Sequence, residues 1–167
     1  AWWPRRFAVA RPDGQRLGAS RRLGAPMNAG RFVLAGFVAA IICFVTDGFM
    51  HNVLLDADWK AIYAGVQGMP PGEHEHSPLA FVWFALFELG RGYIAITFHV
   101  LLRERMGKSA KTAAVAGVLS WVAFSLTGPV QMIPLKLFSV ALWVKMAAVQ
   151  LVTSLVAAVA GGVVYKD

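Results

Sequence analysis

Four ionisable side chains fall inside long apolar segments of the sequence: Asp47, Glu88, Arg91 and Lys145. A charge at the centre of a bilayer costs about 2.5–3.5 kcal/mol on insertion scales, so such residues are expected to face other helices and to find partners there. Glu88 and Arg91 are three positions apart, which places them on one face of a helix and lets them pair directly. The two acidic and two basic side chains sum to zero.

This charge network has two main interpretations. In the first, the two acidic residues titrate and carry protons or ions through the bundle, while a basic neighbour tunes them. In the second, the network is a neutral polar clasp that holds the helices in register, and Gln131 and Gln150 extend it. A third alternative is that the charges meet a partner subunit. The clasp is the simpler interpretation, because it requires no transport activity.

Glu73, His74, Glu75 and His76 form a tract whose side chains are of the types that bind zinc or copper. His51, at the end of the first apolar segment, can join them. The spacing matches no standard structural metal site, and short histidine-rich tracts are compositional evidence only. A solvated loop is therefore the default interpretation, and a metal site is the alternative.

His99 lies near the inner end of the second apolar segment. An imidazole inside a membrane can ligate haem or a chlorophyll-type pigment through a ring nitrogen. A haem held by two histidines needs a second one at similar depth, but the other three histidines all lie toward the opposite side. The alternative is a helix-packing or interfacial residue, and no cofactor is predicted.

No catalytic constellation is recognisable in the sequence. Ser120 and Ser125 have no histidine partner at hand. The chain has no nucleophile elbow, no phosphate-binding glycine loop and no HExxH motif. We therefore expect a protein that is not an enzyme, with an enzyme acting on lipids as a remote alternative.

The elements that carry these residues are predicted from composition and segment length. Hydrophobic residues make up 57% of the 167 residues and charged residues only 15%, and the mean hydropathy is +0.57. A helix needs about 20 apolar residues to cross the hydrocarbon core, and lipid offers no partner for free backbone groups. The sequence therefore predicts an all-α membrane protein with four transmembrane helices, at about residues 32–51, 79–102, 112–132 and 137–164.

The distribution of lysine and arginine predicts the orientation. Basic residues concentrate before the first span, between the second and third spans, and after the fourth: Arg21, Arg22, Arg31, Arg103, Arg105, Lys108, Lys111 and Lys166. The opposite side carries only Lys60 and Lys136, beside several acidic residues in an outer loop over 52–78. Both termini are expected in the cytoplasm of a bacterium, with the protein in its inner membrane.

The first 26 residues form a basic arm with six arginines against one aspartate, a net charge of +5. Trp2 and Trp3, beside these arginines, are predicted to anchor the arm to anionic lipids or to another protein. The alternative is a flexible cytosolic tail, or a segment lost from some forms, since Met27 resembles a translation start. The basic charge flanks apolar segments, which argues against nucleic acid as a partner. In the outer loop, Trp59 and Tyr63 share one face of a short helix and are expected to lie at the membrane interface.

The two halves of the membrane domain, residues 27–167, can be aligned as two consecutive hairpins of the same orientation. In spans 1 and 3, Ala35, Gly36 and Thr46 align with Ala116, Gly117 and Thr127. In spans 2 and 4, Ala85, Glu88, Leu89 and Ala95 align with Ala147, Gln150, Leu151 and Ala157. Parallel repeats occur in several membrane proteins, so the alignment suggests an internal repeat.

The stretch DGFMHNVLL at residues 47–55, followed by Asp58 and Trp59, resembles a pattern in uncharacterised bacterial four-helix integral membrane proteins. The similarity covers about residues 27–167, through the hairpin lengths and the glycine-rich close before Tyr165. It implies the architecture alone, since that family has no assigned activity.

Two functions follow from these features as expectations. The first is an accessory or stabilising subunit of a larger energy-transducing complex, respiratory or photosynthetic, or of a transport complex, because the small core leaves little room for a substrate. The second is a small proton- or ion-coupled transporter or channel that uses the intramembrane charges.

Overall fold

Each long helix begins or ends at a residue whose chemistry suits that position. Asn28, Ser109 and Ser139 precede three of the helices. The side-chain oxygen of each accepts a hydrogen bond from the backbone N–H three residues further on, at 3.0, 3.2 and 3.1 Å respectively. Such caps satisfy donors that have no partner inside the helix. Gly107 ends another helix, because its φ of 79° is one that glycine adopts without steric cost.

A computed structural model describes residues 27–65, 78–136 and 139–165, and within these ranges every regular element is helical. The helices are α1 (Ala29–Phe49), α2 (Asp56–Gly65), α3 (Pro78–Met106), α4 (Ala110–Trp121) and α5 (Val140–Val164). Two short π-helical turns follow α1 and α4 directly, at Met50–Leu54 and Val122–Leu126. A 3-10 turn follows at Pro129–Met132.

Four helical segments are long and apolar enough to cross a membrane: Ala29–Leu54, Pro78–Met106, Ala110–Met132 and Val140–Val164. These segments confirm the four spans predicted from the sequence, with ends that shift by a few residues. The short α2 confirms the helix predicted in the outer loop. The chain is therefore a multi-pass membrane protein of the all-α class.

The bundle is apolar outside, and its interior combines small apolar residues with polar and charged ones, unlike a water-soluble protein. Val33, Phe37, Ile41 and Val45 recur at four-residue intervals on α1 and are each 48–62% exposed. The buried side chains instead include charged and hydroxyl-bearing residues: Asp47, Glu88, Arg91, His99, Thr112, Ser120, Ser125, Gln150, Thr153 and Ser154. Lipid explains this arrangement, because it solvates apolar side chains and leaves polar groups to pair inside the protein.

The packing order of the four spans follows their connectivity. α1 packs against α3 and α5, and α4 packs against the same two helices. α3 and α5 also touch each other across the interior. Residues that line the α3–α5 contact can therefore reach either α1 or α4.

Glycines allow the closest helix approaches. A Cβ added to Gly92 of α3 would lie 2.4 Å from the backbone nitrogen of Ala40 in α1 and 2.7 Å from the carbonyl oxygen of Gly36. A Cβ added to Gly117 of α4 would lie 2.7 Å from the carbonyl oxygen of Ser154 in α5. Contacts to backbone atoms cannot be relieved by a rotamer change, so the hairpins require glycine at these positions.

The burial pattern supports the internal repeat. The shift that places Glu88 on Gln150 carries all six buried residues of α3 onto buried residues of α5. The shift that places Ala35 on Ala116 carries Gly36 onto Gly117 and Ala39 onto Ser120, which are also buried. The two hairpins therefore use equivalent positions for packing, and α3 and α5 occupy equivalent central places.

The two ends of the bundle are covered differently. At one end, here called the lid end, α2 lies over α1 and α5, where Trp59 and Ile62 pack against Met50, Leu142 and Met146. The other end, here called the terminal end, holds the first residue of α1 and the last residue of α5. There Arg103 donates to the carbonyl oxygen of Tyr165 at 3.3 Å and stacks 4.7 Å above its ring.

Candidate functional site

The buried charges of α1 and α3 meet in one hydrogen-bonded group. Nη1 of Arg91 donates to Oδ2 of Asp47 and to both carboxylate oxygens of Glu88, the latter at 3.0 and 2.9 Å. Nε2 of Gln150 in α5 donates to the same Oδ2 at 3.1 Å. We call these four residues the Asp47 cluster. Asp47, Glu88 and Arg91 are each 1% exposed, so the cluster lies inside the bundle.

Helix geometry explains why these residues meet. Long side chains on a helix lean toward its N-terminus, so Arg91 extends toward the lid end and reaches Asp47 as well as Glu88, one turn earlier. The guanidinium also lies over the Phe87 ring, with Cζ 5.8 Å from the centroid. Asp47 stands just before the π-helical turn, and the backbone N–H of Met50 donates to its carbonyl oxygen and to that of Thr46.

Three buried polar atoms of the cluster have no hydrogen-bond partner among the residues that the structure describes: Oδ1 of Asp47, Nη2 of Arg91 and Oε1 of Gln150. Each belongs to the same carboxylate, guanidinium or amide group as an atom that takes part in the hydrogen bonds at Oδ2 of Asp47. Oδ1 of Asp47 and Oε1 of Gln150 are acceptors and Nη2 of Arg91 is a donor, so water can satisfy them.

Lys145 does not join the cluster, contrary to the prediction from the sequence. Its Nζ lies 3.0 and 2.8 Å from the two carboxylate oxygens of Asp58 in α2, and its side chain is 53% exposed. The prediction from the sequence was wrong because Lys145 lies in the first turns of α5, near α2. There its amine pairs at the surface without the desolvation that burial demands. Gln131 is also exposed and extends no network.

Because Lys145 is not part of the cluster, the formal charges of the cluster do not sum to zero. Asp47, Glu88 and Arg91 carry two formal negative charges and one positive charge, a sum of −1. Within residues 27–65, 78–136 and 139–165, no further cation pairs with either carboxylate. A neutral clasp, as predicted from the sequence, is therefore not what these three residues form when all are ionised.

The Lys145–Asp58 pair should contribute little to stability, because it is partly solvated. We expect Lys145→Met to change the free energy of unfolding by less than about 1 kcal/mol. A double-variant cycle with Asp58→Asn measures the coupling energy of the pair. A coupling above about 2 kcal/mol would contradict the solvated character that we assign to it.

Comparison with protein-family models, with curated proteins and with solved structures finds no match to this chain. The resemblance to uncharacterised four-helix membrane proteins therefore stays a prediction.

The histidines lie apart from one another in the described part of the chain. His51 stands at the lid end, where its ring lies 5.2 Å from that of Trp59 and 6.1 Å from that of Phe84. His99 is 4% exposed and packs near Ala113 and Gly162 at the terminal end. Its Nδ1 has no partner among the described residues.

No group of three or more potential metal ligands occurs within the described ranges. The predicted metal tract Glu73, His74, Glu75 and His76 falls outside those ranges, as do Trp2 and Trp3. Haem or pigment ligation by His99 stays an alternative interpretation of the sequence. The packing of α4 and α5 around His99 agrees with the other interpretation, a helix-packing residue.

Trp59 packs on the protein as well as standing near the predicted interface. It lies against the cluster of Met50, Leu55, Leu142 and Met146, so it anchors α2 to the bundle. The side chain of Tyr63, its predicted companion, lies outside the described residues. Asp58 was not predicted as the partner of Lys145, although an acidic residue in the first turn of an outer helix was visible in the sequence.

Proposed function

We propose that the protein is a small proton carrier of the membrane, a transporter or channel in which the Asp47 cluster takes up and releases one proton. The observation that carries the proposal is the unbalanced negative charge of the cluster. An ionised group inside a membrane protein is costly unless it is compensated. One proton on the carboxylate pair brings the sum of charges to zero.

The arrangement of the two carboxylates favours a shared proton. Asp47 and Glu88 both contact Nη1 of Arg91, so their oxygens lie close together. Carboxylates that share a site do not both ionise readily, and such a pair takes up and loses its protons as a unit. Arg91 keeps its charge at any physiological pH and therefore holds the second carboxylate ionised.

Close packing limits what the cluster can carry. Gly92, the residue after Arg91, brings α3 into backbone contact with Ala40 of α1. With only two carboxylates, the cluster also falls short of the ligand number that a divalent cation prefers. A proton passes along side chains without an open pore, so this cargo is the one compatible with the packing.

The proposal includes an orientation. Arg31, Arg103, Arg105, Lys108 and Lys111 all lie at or beside the terminal end of the bundle. By the positive-inside tendency, we assign this end to the cytoplasm and the lid end to the opposite face. The inner membrane of a bacterium is the corresponding location, with anionic lipids as partners of the basic end and of the arm at residues 1–26.

A second candidate function is supported by a different observation. The interior is filled by alanine, glycine and short polar side chains, and Asp47 joins α3 and α5 through Arg91 and Gln150. A bundle whose helices are closely packed and joined by hydrogen bonds in this way suits an accessory subunit of a larger energy-transducing or transport complex. Native mass spectrometry of the source membrane tests it, and recovery of the chain without large partners would count against it.

Proteoliposome flux tests the proton-carrier function. The purified chain is reconstituted around a pH-sensitive dye, and a potassium diffusion potential drives proton entry. We expect flux above that of empty vesicles, and a loss of at least about 10-fold in Glu88→Gln and in Asp47→Asn, because each removes a carboxylate that shares the proton. Lys145→Met, which changes a charge outside the cluster, should keep the flux.

Two results would overturn the proposal. One is an absence of flux in the original chain. The other is flux that survives both carboxylate substitutions in protein that circular dichroism shows to be folded. Either result leaves the accessory function as the better account of the cluster.

A further inference from the structure

The two ends of the bundle isolate the Asp47 cluster to different degrees. His51 lies on the lid side, one helical turn beyond Asp47 on the same chain segment. It is partly exposed, whereas Asp47, Glu88 and Arg91 are buried. This end also holds the buried apolar side chains of Met50, Leu142 and Met146, and His51 is the titratable group that lies there within one turn of Asp47.

The terminal side of the cluster is sealed by small apolar residues. Ala35, Ala39, Ile96 and Ala157 are each at most 1% exposed. A Cβ added to Gly161 would lie 2.4 Å from Cδ1 of Ile96 and 2.9 Å from the carbonyl oxygen of Ala35. Cys43 and Tyr165 belong to the same apolar cluster, but among the described residues that cluster contains no carboxylate, histidine, lysine or arginine. His99 lies beyond it, toward the terminal end.

We propose that His51 is the group that exchanges protons between the Asp47 cluster and the water at the lid end. This inference rests on the proposed proton-carrier function and adds the route by which the proton arrives. In the step, a neutral imidazole takes a proton from water on one ring nitrogen. The imidazolium then releases a proton to a carboxylate of the cluster, so His51 returns to neutral and the cluster charge changes from −1 to zero.

The local backbone supports this role. His51 lies in the π-helical turn Met50–Leu54, and such turns occur often at functional sites, where they displace side chains from regular helix positions. The ring is held between Trp59 of α2 and Phe84 of α3. The charged groups that act on it electrostatically are Asp47 on its own segment and Arg91 on α3. Trp59 of the lid helix thus contacts the imidazole one turn beyond Asp47.

The test measures how fast the carboxylates take up a proton after a pH jump. The full chain is placed in lipid nanodiscs, and the infrared carbonyl band of a protonated carboxyl is followed with time. We expect His51→Ala and His51→Gln to slow the rise of this band by about 100-fold, the low end of the range for loss of a positioned acid–base group. The final amplitude should be unchanged, because the carboxylates remain. Free imidazole in the buffer should restore the rate of His51→Ala.

His99→Gln is the matched control, since it replaces the other histidine of a membrane span, at the opposite end of the bundle. Its rate should equal that of the original chain. Unchanged rates in both His51 variants, or no recovery with imidazole, would overturn the route while leaving the proton-carrier function intact. Absence of any carboxyl band in the original chain would overturn both, so the two failures are distinguishable.

Discussion

Replacing Arg91 by glutamine is expected to lower the free energy of unfolding by about 3–5 kcal/mol, the range found when one partner of a buried ion pair is removed. The change leaves the carboxylates of Asp47 and Glu88 facing each other without a cation, and the formal charge of the cluster falls from −1 to −2. Unfolding in mixed micelles with a rising fraction of denaturing detergent, followed by tryptophan fluorescence, measures the difference.

Glu88→Gln is the matched substitution of the same cluster. It removes one negative charge, brings the formal sum to zero and keeps an oxygen that can accept from Arg91. We expect its free energy of unfolding to lie within about 1 kcal/mol of that of the original chain. If Glu88→Gln and Arg91→Gln destabilise equally, the charge sum does not govern the cluster, and the argument for a bound proton loses its basis.

The second large effect is expected at a glycine. Gly92→Ala places a methyl group against the backbone of Ala40, at 2.4 and 2.6 Å from its nitrogen and Cα. Backbone atoms cannot move aside unless α1 and α3 separate. We expect destabilisation of about 1–3 kcal/mol, as for other cases of overpacking. The same unfolding assay in mixed micelles reports it.

Gly90→Ala is a control two positions away on the same helix. A Cβ at Gly90 meets nothing within 4 Å, so the substitution should be neutral, or stabilising by up to about 1 kcal/mol through helix propensity. Cys43, the only cysteine in the sequence and 2% exposed, provides a second readout. Its alkylation should accelerate in Gly92→Ala and not in Gly90→Ala. Equal alkylation rates in the two variants would contradict the close approach of α1 and α3.

The charge cluster links stability to the proposed function. Arg91 ties α3 to α1, and Gln150 ties α5 to the same oxygen of Asp47. A proton bound to Asp47 or Glu88 would neutralise the net negative charge of the cluster. It would also change which of the two carboxylates remains ionised and paired with Arg91. Proton uptake would therefore alter the forces between three helices at once. This coupling is what a carrier needs to turn proton binding into a change of shape.

The predicted internal repeat would explain how such a cluster arises from equivalent hairpins. Glu88 of α3 and Gln150 of α5 occupy matching positions, and both contribute to the Asp47 cluster. The first hairpin has an arginine at residue 91, where the second has Thr153, whose hydroxyl donates to Val149 of its own helix. The charged half of the cluster is thus confined to one hairpin, and the other hairpin contributes neutral partners.

Part of the candidate site was predictable before any contact was known. Glu88 and Arg91 are three residues apart on a helix, so their pairing follows from local geometry. Asp47 was predicted to join them because a membrane charge needs a partner, and the structure confirms this. Lys145 was assigned by the same reasoning and wrongly, since depth alone does not distinguish a side chain inside the bundle from one at its rim.

The sequence by itself determined the solvent and the architecture. Long apolar segments can satisfy their backbone groups in lipid only as helices, so the number of spans followed from composition and length. The tertiary structure decided which charges share one site, because that depends on how helices distant in sequence rotate and approach. That rotation placed Lys145 beside Asp58 and left the Asp47 cluster one positive charge short.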